Sequence, residues 1–210
     1  TIVVVAVSIV CLVLFKEPSI HKQKKPVSLR SHIRTTIESI SSDISVRMVS
    51  LVLILSVMCG TLLLEFSQLW FIALSVSDTT LGALTALLLL TTVVASIAAP
   101  KIVAQDRSYT ISGALLLVLA SVSLTFATSI VLVVISMVLT ISVLLYFRVI
   151  FTGLLHSVVD SSVRASAASA VSSFSRLVLL PMVLLFGYLV EHYTIFTASW
   201  LLVGISTALM

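Results

Sequence analysis

Long apolar blocks separated by short polar segments dominate this chain. A helix that crosses a membrane needs about 20 apolar residues, because the hydrocarbon core is roughly 30 Å thick. The blocks lack the alternation of spanning strands, so each one predicts a helix. They cover residues 1–15, 46–77, 81–99, 109–127, 129–157, 164–190 and 194–210. The pattern predicts five complete membrane spans, and the shorter first and last blocks predict parts of two more.

The composition excludes an ordinary water-soluble globule. Of the 210 residues, 60% are hydrophobic and 10% are charged, whereas a soluble domain is about 45–50% apolar and about 25% charged. The predicted fold class is therefore all-α, a polytopic bundle of transmembrane helices. The net charge of +4 is too small to indicate nucleic-acid binding. Cys11 and Cys59 lie in apolar blocks without metal-site spacing, so we expect two buried thiols, no metal and no cofactor.

Basic residues mark one side of the predicted membrane protein. If each block crosses once, the connections 16–45, 100–108 and 156–164 share a side and carry all the loop lysines and arginines. The connections on the other side carry only Asp78 and Glu191. The positive-inside rule makes the basic side cytoplasmic. We therefore expect an integral protein of the plasma membrane, with loop 16–45 in the cytoplasm.

The long loop 16–45 contains an amphipathic pattern. Apolar residues recur in it every three or four positions, at Leu29, Ile33, Ile37, Ile40 and Ile44. Pro26 and Ser28 precede this stripe and suit a helix start. The pattern predicts a helix on the cytoplasmic interface, with nearby lysines close to anionic lipid headgroups. The alternative is a solvated linker whose periodicity is accidental.

Two passages resemble the major facilitator superfamily of transporters. Asp106 and Arg107 lie where the family has a copy of its G-x-x-x-D-R-x-G-R loop, although both glycines and the last arginine are absent here. In 160–169, Asp160 and Arg164 precede a run of small residues, as at the start of the family's helix eleven. The resemblance implies a motif-loop or gating role for these four charged residues. For Asp160 and Arg164, a solvated pair at a helix start is the alternative.

The resemblance covers nearly the whole chain and implies the C-terminal half of such a transporter. Residues 1–15 would be the end of helix six, 16–45 the central cytoplasmic loop, and 46–210 helices seven to twelve. In the family, helices seven and ten line the central cavity, and helices eight and eleven face the other half. The implied function is secondary active transport by alternating access, as in exporters of drugs or metabolites. The implied partners are membrane lipid, a missing N-terminal half of the same chain, a small-molecule substrate and protons.

Glu65 is the first candidate for a functional residue at membrane depth, where ionisable groups are expensive. Thr61, Glu65 and Gln68 share one helix face, and Trp70 follows within two turns. We expect this face to line a central cavity and to contact substrate or ion. A carboxylate removed from water tends to hold its proton, which suits proton uptake and release by Glu65. The alternative is an interfacial glutamate that reaches headgroup water.

Two arginines are the other candidates. Arg148 belongs to a polar stripe with Ser136, Thr140 and Thr152, and it could bind an anion, neutralise a carboxylate or snorkel to the interface. Arg176 follows Arg164 by about 18 Å of helix, and the spacing predicts Ser169 and Ser173 on the same face. At that depth we expect Arg176 to need a partner: Glu65, the missing half of the protein, or substrate.

Other classes of protein remain open at this stage. A non-transporting scaffold or receptor-like membrane protein would also show these spans. The triplet Gly204-Ile205-Ser206 resembles the G-x-S setting of a serine hydrolase, but neither His156 nor His192 lies at matching depth. The sequence has no H-E-x-x-H motif and no P-loop. We therefore expect no enzymatic activity.

Overall fold

The computed structural model describes residues 43–103, 108–159, 161 and 163–210. These residues form helices joined by short connections, with no strand among them, so the prediction of an all-α fold is confirmed. The helices are α1 (Ile44–Ala73), α2 (Asp78–Val103), α3 (Ser108–Thr125), α4 (Ile130–Val158), α5 (Arg164–His192), α6 (Ile195–Ala198) and α7 (Trp200–Ala208). Block 1–15, most of loop 16–45 and Cys11 lie outside the described residues.

Four helices of the described chain are long and apolar enough to cross a membrane. They are Ile44–Ala73, Asp78–Ile102, Ile130–Val158 and Arg164–His192. The block at 109–127, predicted as a complete span, gives a shorter apolar helix, Thr110–Thr125, and the last block gives another, Ile195–Ala208. Four such helices indicate a membrane-embedded protein.

Local chemistry moves two helix boundaries away from the predicted ones. Helix α1 begins at Ile44, two residues early, because the Asp43 carboxylate caps it by accepting a hydrogen bond from the Ser45 amide at 2.7 Å. Ile44 therefore belongs to the first span rather than to the loop stripe. Helix α2 continues past Pro100 to Val103, because the backbone hydrogen bond that a proline lacks falls here in the last turn.

Helix α4 is the centre of the bundle. It packs against α1, α2 and α3, while α1 also packs against α5, and α3 against α7. In the most apolar 18-residue stretch of each helix, 44% of the residues are buried in α1 and 50% in α4, compared with 6% in α2 and 11% in α5. The core of this chain therefore lies along α1 and α4, and α2 and α5 present most of their surface outward.

Hydroxyl groups connect the helices in the core. Ser121 of α3 is hydrogen-bonded to Ser206 of α7 at 2.8 Å, and the thiol of Cys59 in α1 is hydrogen-bonded to the same Ser206. Ser123 of α3 pairs with Ser136 of α4. Cys59 is fully buried, which confirms the prediction of a buried thiol. Interhelical polar contacts of this kind help to hold helices together in lipid.

Candidate functional site

A polar groove of about 560 Å³ lies between α1, α4 and α5. Its polar lining comes from all three helices: Thr61, Arg148, Thr152, Ser172, Ser175 and Arg176. Apolar side chains complete the wall, among them Val57 of α1 and Leu179 of α5. We call this cavity the arginine groove. It brings together three residues that the sequence singled out on separate helices, namely Thr61, Arg148 and Arg176.

A smaller cavity of about 110 Å³ adjoins the arginine groove between α1, α2 and α4. The two cavities share Val57, Thr61 and Arg148 as lining residues. Ser56 also lines the smaller cavity, which we call the side pocket. Ser56 is only 3% exposed, and its hydroxyl has no hydrogen-bond partner. An unused donor of this kind is rare in a buried position, so the side pocket offers a free hydroxyl next to Arg148.

Both arginines of the groove are exposed in the described part of the chain, and both lie well inside their helices rather than at the helix ends. Helix α4 ends at Val158 and α5 begins at Arg164, so these two ends lie at the same side of the bundle. Arg148 is about 15 Å from the end of α4, and Arg176 is about 18 Å from the start of α5, at 1.5 Å of rise per residue. Both Cα atoms therefore lie in the interior of helices that are long enough to cross a membrane.

The charge in the arginine groove is uncompensated by the side chains that line it. No aspartate or glutamate is among the described residues lining the groove or the side pocket. Neither Arg148 nor Arg176 has an ion-pair or hydrogen-bond partner in the described parts of the chain. An arginine stays protonated in proteins, so two positive charges share one cavity.

Glu65 and Gln68 do not share this cavity. Both are exposed on α1 and neither lines the groove or the side pocket. Phe66 packs on Phe186 of α5 with ring centroids 4.7 Å apart, which places the neighbouring Glu65 at the level of Phe186. That level is about 15 Å further along α5 than Arg176. Glu65 is therefore too far along the bundle to be the partner of Arg176.

Trp70 lies in the core and not at the groove. It is fully buried, its indole nitrogen has no partner, and its ring centroid is 6.2 Å from that of Phe186. Phe66, Trp70 and Phe186 thus form a cluster of rings between α1 and α5. Phe186 of this aromatic cluster lies further along α5 than Leu179, the last residue of α5 that lines the arginine groove.

The sequence missed two of the groove residues. Ser172 and Ser175 line it, whereas Ser169 and Ser173, assigned by spacing to the face of Arg176, are exposed elsewhere on α5. The sequence spacing could have identified both serines. Residues 168, 172 and 176 are four positions apart, and so are residues 171, 175 and 179 in the neighbouring row. Such rows lie along one helix face.

The polar stripe on α4 divides between two environments. Arg148 and Thr152 line the arginine groove, but Ser136 and Thr140 are buried in the core. A period of four residues drifts around a helix with 3.6 residues per turn, so the two ends of the stripe face different neighbours.

Of the four charged residues in the two passages that resemble the transporter family, the structure describes one. Asp106, Arg107 and Asp160 lie outside the described residues, and Arg164 is the exposed first residue of α5. In the Gly204-Ile205-Ser206 triplet, the Ser206 hydroxyl is buried and hydrogen-bonded to Ser121.

Comparisons of the chain with models of known families, with curated proteins and with solved structures give no match. The fold and the site define a helical, membrane-embedded protein with a groove that two arginines line.

Proposed function

We propose that this chain is the C-terminal half of a secondary active transporter of the major facilitator type. The observation that carries the proposal is the arginine groove, a polar cavity at membrane depth between helices of an otherwise apolar bundle. Ionisable side chains inside a membrane are costly and commonly mark substrate or ion pathways. Secondary transporters place their substrate sites near the bilayer midplane.

The distribution of buried surface supports the same proposal. Under the proposed alignment, α1 and α4 correspond to helices seven and ten, which line the central cavity in the family, and both line the arginine groove. Helices α2 and α5 correspond to helices eight and eleven, which face the other half. These are the two long helices with the least buried surface in this chain.

The proposed orientation places the Val158–Arg164 end of the bundle in the cytoplasm, in agreement with the basic residues of the connections. The groove then lies in the cytoplasmic half, and the aromatic cluster lies in the opposite half. Under this proposal, the groove opens to the cytoplasm in an inward-facing state of alternating access. The sequence has no P-loop for nucleotide hydrolysis, so an ion gradient would supply the energy, with protons carried by Glu65.

A flux measurement on the whole protein tests transport and coupling together. Proteoliposomes that contain a pH-sensitive dye are exposed to a panel of small anions, cations and neutral solutes. We expect at least one solute to drive a protein-dependent pH change. We expect Glu65→Gln to abolish that change, while Glu191→Gln, which alters an exposed glutamate at the end of α5, leaves it intact.

Transport itself and proton coupling through Glu65 are rejected by different results. A panel in which no solute produces protein-dependent flux would contradict transport. Flux that survives Glu65→Gln would remove Glu65 from coupling and leave transport standing. The coding sequence upstream of Thr1 tests the half-molecule assignment, because the proposal requires six further apolar spans there.

A further inference from the structure

We propose that the arginine groove binds a small organic anion, with Arg148 and Arg176 as its counter-charges. The inference deepens the proposed function, on which it rests, because the anion would be the transported substrate. It starts from an imbalance: two guanidinium groups share one cavity, and no described side chain that lines this cavity is acidic. An anion held between two guanidinium groups compensates their positive charge and accepts charge-assisted hydrogen bonds from them.

The groups around the two arginines suit acidic oxygens. A guanidinium donates two parallel hydrogen bonds to a carboxylate or phosphate group. Hydroxyls of Thr61, Thr152 and Ser172 line the same groove, and each can donate one further hydrogen bond. The buried and unpartnered hydroxyl of Ser56 in the side pocket adds a donor beside Arg148.

The size of the groove limits the ligand. A volume of about 560 Å³ falls in the range of about 300–1,000 Å³ that is typical of small-molecule sites. The groove is therefore large enough for a metabolite-sized anion. It is also far larger than one acidic side chain needs, which favours a ligand over a carboxylate of the N-terminal half as the partner of both arginines.

Direct binding to the whole protein, purified in detergent, tests the inference. The probes are three molecules with the same four-carbon backbone: succinate, its neutral diamide succinamide, and the dication 1,4-diaminobutane. Inorganic phosphate and benzoate extend the set of anions. Titration calorimetry at constant ionic strength measures each dissociation constant. We expect one or more of the anions to bind, and the diamide and the diamine to bind at least tenfold more weakly than that anion.

Substitutions identify the binding groups. We expect Arg148→Gln and Arg176→Gln each to weaken binding of the anion at least tenfold. Arg148→Lys and Arg176→Lys should weaken it less, because lysine keeps the charge but lacks the planar fork. The matched control is Arg47→Gln, an arginine near the start of α1 that does not line the groove or the side pocket, and its affinity should equal that of the parent protein.

Three results would overturn the inference: no binding of any anion of the set to the parent protein, equal affinity for the diamide or the diamine, or equal affinity in the glutamine and parent proteins. If the glutamine variants do not fold, the lysine variants carry the test, and unchanged affinity in them would count against the groove. The proposed function fails independently of this inference. Anion binding without flux in proteoliposomes would reject transport and retain the anion site. Flux of a cation or neutral solute that tolerates Arg148→Gln would reject the anion site and retain transport.

Discussion

At the scale of single residues, the chain shows how a membrane bundle accommodates many serines and threonines. Many of these hydroxyls donate to a carbonyl one turn earlier in their own helix, as Thr85 does to Leu81 and Ser142 to Val138. Such bonds satisfy the hydroxyl without a partner helix. Other hydroxyls are bonded between helices and stabilise the bundle, as in the pairs Ser121–Ser206 and Ser123–Ser136.

The interhelical bonds of Ser206 lead to a stability prediction. Ser206→Ala removes the hydrogen bonds to Ser121 and Cys59, and we expect it to lower the free energy of unfolding by about 0.6–1.7 kcal/mol. Denaturation of the purified protein in mixed micelles measures this change. The control is Thr207→Val, because the Thr207 hydroxyl donates only to Val203 and Gly204 of its own helix. Equal stabilities of the two variants would show that the Ser206 bonds contribute nothing measurable.

At the scale of helices, the sequence predicts much of the fold but little of the site. Every apolar block from 46 to 210 contains a helix, because the backbone in lipid must satisfy its own hydrogen bonds. The errors lie at ends, where local chemistry decides: the Asp43 cap moved the start of α1, and Pro100 did not end α2.

The site was harder to predict because it depends on which helix faces meet. Arg148 and Arg176 were candidates from their depth alone, but only the packing of α4 and α5 around α1 brings them into one cavity. Glu65 was one of three candidate partners for Arg176, and its position further along the bundle follows from how far α1 is displaced along α5, which the sequence does not show. Trp70 was a candidate because it follows Glu65, yet its rotation around α1 takes it into the core.

A close contact between α3 and α4 gives a prediction at the helix scale. A Cβ atom on Gly113 would lie 3.2 Å from Cε1 of Phe147 and 3.6 Å from Cγ1 of Val143. Gly113→Leu should therefore separate the two helices and destabilise the protein by about 1–3 kcal/mol. The control is Gly82→Leu in α2, where nothing lies within 4 Å of the new Cβ. The midpoints of thermal unfolding in detergent compare the two, and a Gly113→Leu midpoint no lower than that of the control would refute the contact.

At the scale of the whole molecule, the bundle has a packed side and an open side. Helix α4 and its neighbours α1 and α3 form the core, while α5 keeps large apolar side chains such as Leu177 (69% exposed) and Leu184 (68% exposed) on its outer surface. The arginine groove lies at the junction between these two sides. Our account therefore requires two different surroundings for α5: water on the groove face, and lipid or protein on the opposite face.

The most direct test of this central claim is the accessibility of two cysteines on α5 to a membrane-impermeant thiol reagent. Ser172→Cys lies in the groove, and Leu177→Cys lies on the exposed apolar face. Both are made with Cys11→Ala, and the buried Cys59 is left in place. In membrane vesicles that present the cytoplasmic face, we expect Ser172→Cys to react at least tenfold faster than Leu177→Cys. Equal rates, or no reaction at Ser172→Cys, would mean that the groove holds no water, and would contradict a substrate path through it.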